Sequence, residues 1–379
     1  MKYALIVSLV LFSFTAEAQS VSALTVTKKG DSLFEIGEYN KAIPYYLEAN
    51  RFREAAKSYE ALGRNTEAQR YFERALSESS ANPKTQFEYV KLLVRVSHYK
   101  QADSILQNLQ FRFPNNPNFV YERGLVKEFQ KDSTAIDLFL QVYSMDEGNI
   151  NASYKIARNY IENRKFDAAA PYIENGLTLD KNSSRFLTLR ALKEFYSQEF
   201  HEAIGTFNLL ISKGESYISL HENLADAYTK TMQFEKALEQ YQILLQKYDN
   251  QNPKWHHEVA FLYKAMKEYE KAKQHFNIAI GLLETPLSNE YMELATVYKR
   301  EGDYKNEMAA LRKSLVNNPN NERALYYLAV AADNYFKDKN TVLDYYENYL
   351  KQFGETGIMR NLVKQRVSDL KKELHYKTD

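Results

Sequence analysis

Cysteine is absent from all 379 residues, which excludes disulfides, a lipid-anchored cysteine and any cysteine-histidine metal site. Stability must therefore come from packing alone. Glycine (12) and proline (8) are scarce for this length, and tryptophan occurs once. A formal net charge of +1, with 26% charged residues, calls for neither nucleic acid nor an acidic membrane surface, so any charged partner has to be met by a local patch. No stretch reaches the ~20 apolar residues of a membrane-spanning helix; the longest apolar run, Ala4 to Phe14, is about half of that. What the chain does have is aromatics, 30 Tyr and 21 Phe, which suit helices packed through ring side chains.

That apolar run follows Lys2 and precedes Ala16-Glu17-Ala18, a small-x-small pattern before Gln19. The arrangement is that of a secretory leader over residues 1–18, cleaved between Ala18 and Gln19. The expected location is the periplasm or the cell surface, or secretion. The leader ending in Ala-Gln resembles those of Bacteroidota envelope proteins. The triplets Asp31-Ser32-Leu33, Asp103-Ser104-Ile105 and Asp132-Ser133-Thr134 resemble that group's O-glycosylation sequon.

Downstream, the pattern A-x-x-x-[aromatic or aliphatic]-x-x-A recurs ten times. It opens at Ala42, Ala68, Ala102, Ala135, Ala169, Ala203, Ala237, Ala272, Glu307 and Val342, the last two being degenerate. Apart from a first gap of 26, the spacings are 33 to 35 residues. With the small residue counted as position 20, Val259, Ala260 and Tyr263 form one apolar stripe, and Ala272, Phe276 and Ala279 a second. Each stripe has helical spacing, and Lys267-Glu268-Tyr269 leaves room only for a tight antiparallel turn. Position 24 is bulky throughout (Tyr46, Phe72, Leu106, Phe139, Ile173, Phe207, Tyr241, Phe276, Leu311, Tyr346), while position 8 is small in most repeats, as at Gly30, Ala56, Ala157 and Ala225. Asn82-Pro83, Asn116-Pro117, Asn252-Pro253 and Asn318-Pro319 fall between repeats. Pro44 and Pro171 fall at position 22, which reads as the first turn of a second helix, where a missing N–H loses little.

Over residues 22 to 350 this resembles the tetratricopeptide family, whose period is about 34 residues. The resemblance implies an all-α, right-handed superhelical solenoid of about ten antiparallel helix pairs with a C-terminal capping helix. The expected organisation is an irregular N-terminal section over 19–82 holding repeats one and two, repeats three to ten over 83–353, and a capping helix and tail over 354–379. Arg123 at position 8 predicts a loosely packed fourth repeat. The cap helix, from Ile358 to Leu374, is expected to turn Leu362, Val363, Val367 and Leu370 inward.

The resemblance also places positions 2, 5, 9, 12 and 13 of each first helix on a concave face. There it puts Arg53, Lys57, Lys84, Lys91, Arg95, Lys127 and Arg158, a basic N-terminal half. Glu222 and Asp226 follow, and then Lys264, Lys299 and Arg300. A face of alternating sign suits an extended peptide or a partner protein, with an acidic or C-terminal segment expected around Lys57, Lys91 and Arg95. The position-9 residues do not supply the Lys/Asn set with which family members clamp chaperone tails.

No catalytic, cofactor or metal motif is present. The seven histidines are scattered; the cluster His256-His257-Glu258 reads as surface, because adjacent helical residues diverge by about 100°. Nothing in the sequence suggests a carboxylate raised by burial. The expectation is a non-enzymatic scaffold or adaptor of the cell envelope, serving secretion, transport or assembly, in association with outer-membrane assemblies. The alternative is a regulatory or substrate-presenting subunit of an envelope enzyme. A nucleic-acid reader is disfavoured by the leader and by the lack of repeated polar base-reading residues.

Overall fold

The computed structural model describes residues 25–78, 82–283 and 287–375. The leader expected over 1–18 and its cleavage point lie outside the described residues. The chain forms two compact units, Met1–Leu189 and Arg190–Asp379. In the first, pairs are formed by α1 (25–35) with α2 (Tyr39–Glu48), α3 (Phe52–Ala61) with α4 (Asn65–Glu78), and α5 (Pro83–Arg95) with α6 (Tyr99–Arg112). They continue with α7 (Pro117–Phe129) and α8 (Ala135–Met145), then α9 (Ile150–Glu162) and α10 (Phe166–Leu179). Helix α11 (Ser184–Tyr196) carries the unit boundary. The second unit holds α12 (Phe200–Ser212), α13 (Ile218–Lys230) with α14 (Phe234–Lys247), and α15 (Pro253–Ala265) with α16 (Tyr269–Leu282). It ends with α17 (Ser288–Glu301) and α18 (Tyr304–Asn317), α19 (Glu322–Tyr335) and α20 (Lys339–Phe353), and a last helix α21 (Arg360–His375). No strand occurs among the described residues. Among the described residues, nine such pairs, helices α11 and α12 and a final helix follow the order that the period implies.

The register explains the packing. The small residues that open the repeats, from Ala42 to Ala272, are buried, as is every bulky residue at position 24. Gly30 lies against Tyr46, where an added Cβ would come within 2.9 Å of the ring. The fourth repeat is as tight as the others, against expectation. Its small residue is Gly124, one place beyond Arg123, and a Cβ there would meet the Phe139 ring at 2.7 Å. Counting back from Ala135 misplaces it, because Gly124 and Ala135 are 11 positions apart where Ala260 and Ala272 are 12 apart. The short first spacing has an equally plain cause: α2 and α3 are each 10 residues long, where α6 has 14 and α5 has 13.

Asn82, Asn116 and Asn252 cap α5, α7 and α15, each side chain accepting from backbone N–H groups of the first turn, with the following proline as the first helical residue. Asn318 instead ends α18, and Asn321 caps α19. Pro44 and Pro171 are a correction. Their helices begin at Tyr39 and Phe166, so each proline is the sixth residue and removes an interior hydrogen bond.

Most turns inside the pairs are closed by a residue in the left-handed region, and the shortage of glycine shows here. Gly37, Gly63 and Gly302 fill three of them, but Ser97, Lys131, Arg164, Gln198, Met232 and Lys267 adopt φ of 56–65° without glycine's freedom. In each case the two N–H groups after the helix reach back to its last carbonyls, as His98 does to Leu93 at 2.8 Å. In α21, Val363, Val367 and Leu370 are buried, but Leu362, expected inward, is 60% exposed. The guanidinium of Arg366 ties this helix to α19 through both carboxylate oxygens of Asp333.

Candidate functional site: the first-helix faces and a pocket beneath Lys299

Several ion pairs between consecutive first helices end on position 6 of the later one, from position 5 at Arg53, 9 at Lys57 and 12 at Glu128 and Lys264. Others join different positions: Arg95 (13) reaches Glu60 (12), and Lys254 (2) reaches Glu222 (5). Position 6 was left out when the face was read from the sequence, and it carries a carboxylate at Glu88, Glu122, Glu258 and Glu293.

In the first unit this pairing disarms the basic half. Arg53 donates to both carboxylate oxygens of Glu88, at 2.5 and 2.6 Å, and Lys57 lies 3.8 Å from the same group. Arg95 bridges to Glu60 at 2.8 Å. Lys91 sits over the Phe87 ring, and its charge draws on the Glu122 carboxyl, which burial nonetheless pushes up. Lys127 leaves the face altogether. In the corrected register of the fourth repeat its ammonium lies between Asp103 and Asp132, at 3.0 and 3.1 Å, and Glu128 takes the face position and accepts from Lys155. Arg158 is held by Glu162 one turn on, and Lys84 is exposed. The first unit therefore presents a ladder of ion pairs, not a basic strip.

The second unit differs in depth. Glu222 accepts from Lys254 at 3.0 Å and from the Trp255 indole at 2.8 Å. Asp226 accepts from the Tyr241 hydroxyl at 2.9 Å. Burial raises the carboxyls of Asp226 and Glu258; Glu222 adds to the shift at Asp226 and Asp226 to that at Glu258, while Tyr241 counteracts at Asp226 and His257 at Glu258. Burial of these carboxylates runs against the sequence reading. So does His256, which is buried, with its Nδ1 2.9 Å from that of His275 and its Nε2 3.0 Å from the carbonyl oxygen of Asn250.

Further along, α15, α17, α18 and α19 enclose a pocket of about 400 Å³. Lys264, bonded to Glu293, closes one side. Lys299 lies over the Tyr327 ring at 5.0 Å, and Arg323 is exposed at the rim; Arg300 is exposed beside it in sequence but does not line the pocket. The floor is Glu307, the residue at the ninth opening, where eight other repeats have alanine. It is 2% exposed, its Oε2 has no hydrogen-bond partner, and burial pushes its pKa up to about 7 despite Lys299. The sequence showed only a broken repeat here; an acid at a position otherwise small was the available signal.

Among the described residues no group of three or more His, Asp or Glu side chains could hold a metal ion, and no helix is long and apolar enough to cross a membrane.

The family model for the tetratricopeptide repeat matches residues 54–82 and 291–321, that is, most of α3 and α4 and of α17 and α18. A DnaJ homolog subfamily C member 7 homolog from Dictyostelium discoideum is 21% identical over 206 residues, half of this chain and 37% of that protein. The chain thus spans well under half the length of that relative. Among solved structures, a tetratricopeptide repeat protein from Parabacteroides merdae is 16% identical with a TM-score of 0.46, over 65% of this chain and 98% of that one. YrrB, a TPR protein with an unusual peptide-binding site, is 14% identical with a TM-score of 0.45, over 50% and 96%. Yeast Tom70 is 13% identical with a TM-score of 0.39, over 95% and 98%. Two segments thus match the tetratricopeptide-repeat model, and the same helix-pair register runs along both units, giving the chain the fold of a tetratricopeptide solenoid; proteins with such repeats generally mediate protein–protein interaction.

Proposed function

We propose that this protein is a non-enzymatic scaffold or adaptor that holds an extended peptide or a partner protein on its first-helix faces, and that it does so in the cell envelope, in secretion, transport or assembly. The observation that carries the binding reading is the set of ion pairs between consecutive first helices. Contacts such as Arg53 to Glu88 and Lys264 to Glu293 join side chains 29 to 35 residues apart in sequence, so these consecutive first helices hold charged groups side by side on one face. Such a face offers charge and hydrogen-bonding groups at the spacing of successive helices, as an extended segment requires. The leader supports the envelope part, with outer-membrane assemblies as the expected context.

A photo-crosslinking residue placed at Lys84 or Arg300, on first helices, should yield partner adducts in cells, whereas one at Glu239 or Lys271, on second helices, should not. Equal adducts from both sets would refute the binding face. Mass spectrometry of the mature chain tests export: a start at Gln19 is expected, and an intact Met1 in the native host would overturn it.

A further inference from the structure

The pocket over Glu307 has a chemistry of its own. Its charged and titratable lining comes from every helix around it: Lys264 from α15, Glu293 and Lys299 from α17, Glu307 from α18, and Arg323 and Tyr327 from α19. Lys264 and Glu293 are bonded to one another and cancel. Lys299 lies over the Tyr327 ring and acts on the Glu307 carboxyl, and Arg323 is exposed. The two cations are therefore available at the mouth above a buried carboxyl whose Oε2 lacks a partner. An ammonium entering here would meet net positive charge, whereas an anion would meet two cations and, beneath them, a group that can donate once it is protonated.

We propose that this pocket binds a carboxylate of an extended peptide, from an acidic side chain or a free C-terminus, through Lys299 and Arg323, with protonated Glu307 donating a hydrogen bond from the floor. The proposal rests on the peptide-binding reading above and adds to it a ligand class and a proton. The ligand carboxylate stays ionised; the proton comes from solvent and resides on Glu307, so binding takes up a proton wherever free Glu307 is ionised. With that carboxyl titrating at about 7 in the free protein, affinity for the carboxylate should fall about tenfold between pH 6 and pH 8.

The probe is a library of N-acetylated octapeptides in two forms. One carries carboxylates, either at free C-termini or on Asp and Glu side chains of amidated peptides, kept as separate pools that tell the two sources apart; the other is amidated and lacks both residues. Binding to the full chain is read by affinity selection and mass spectrometry, and the best ligand is followed by calorimetry at pH 6 and 8 in two buffers of different ionisation enthalpy. The expected result is retention of the carboxylate library only, weakened at least tenfold in Lys299→Ala and Arg323→Ala, with proton uptake at pH 8. Glu307→Gln keeps a donor at every pH, so it should bind equally at pH 6 and 8 with no proton uptake. Equal retention of both libraries leaves the peptide-binding face standing and overturns the carboxylate site, as does a pH dependence that survives in Glu307→Gln. Retention of neither library overturns both.

Discussion

Glu307 should make the stability of its repeat fall as pH rises. Its carboxyl titrates at about 7 in the folded chain and near 4.5 when exposed. The folded state thus favours the neutral form, and the contribution is fully present below about 4.5 and lost as pH climbs through 7. At about 1.4 kcal/mol per pH unit the whole effect is about 3 kcal/mol, of which about 2 kcal/mol falls between pH 5 and pH 7. A repeat array opens locally, so a single unfolding midpoint would blur the effect. Native-state hydrogen exchange of α17 and α18 isolates it. After correction for intrinsic exchange, their opening equilibrium should rise about thirtyfold between pH 5 and 7, and Glu307→Gln should flatten the profile. Glu307→Ala, which restores the usual small residue, should stabilise these helices at pH 8 and do little at pH 5. An unchanged pH profile in Glu307→Gln would show that the carboxyl is solvated and that the reasoning from its burial is wrong.

His275 should act with the opposite sign in the neighbouring repeat: burial, and secondarily the His256 charge, lowers its pKa, so α15 and α16 should lose exchange protection as pH falls below 6.5, and His275→Gln should remove much of that loss. Gly176→Ala would bring a Cβ within 2.3 Å of the buried Phe186 ring and should destabilise the first unit by about 1–3 kcal/mol in urea denaturation, whereas Gly205→Ala, in a helix with open space around it, should stabilise the second by about 0.5–1 kcal/mol. Met232→Gly and Lys267→Gly, at left-handed turns, should each raise stability by about 0.5–1 kcal/mol, measured the same way.

Much of the fold was legible because a repeat tests its own register. Ala260 with Phe276, and their counterparts elsewhere, share a spacing set by the approach of two helix axes, so ten partial matches reinforce one another. The Asn-Pro pairs at 82–83, 116–117 and 252–253 added an independent signal, since a cap and a first-turn proline can start a helix but not continue one. The fixed template failed where the helices departed from it. The 33-residue spacing before Ala135 was the visible trace of the missing residue that moves Gly124 into the small position and Lys127 off the face. Pro44 and Pro171 were misplaced because second helices start three residues before their alanine.

The site was less legible for a different reason. Charge on a helical face is decided by partners a whole repeat away, and one helix read at a time shows Arg53, Lys57 and Arg95 without Glu88 and Glu60. This changes what the two units can recognise. An acidic segment arriving at the first unit must compete with carboxylates already placed at hydrogen-bonding distance, and the bidentate Arg53–Glu88 pair is among the harder ones to displace. At the pocket in the second unit nothing has to be displaced: Lys299 rests on an aromatic face, Arg323 is exposed, and the buried group below them lacks a partner. Selectivity for a charged peptide follows from unanswered charge and not from the number of charges, which makes the ninth repeat, opening on Glu307 where eight others open on alanine, the place to look for a partner first.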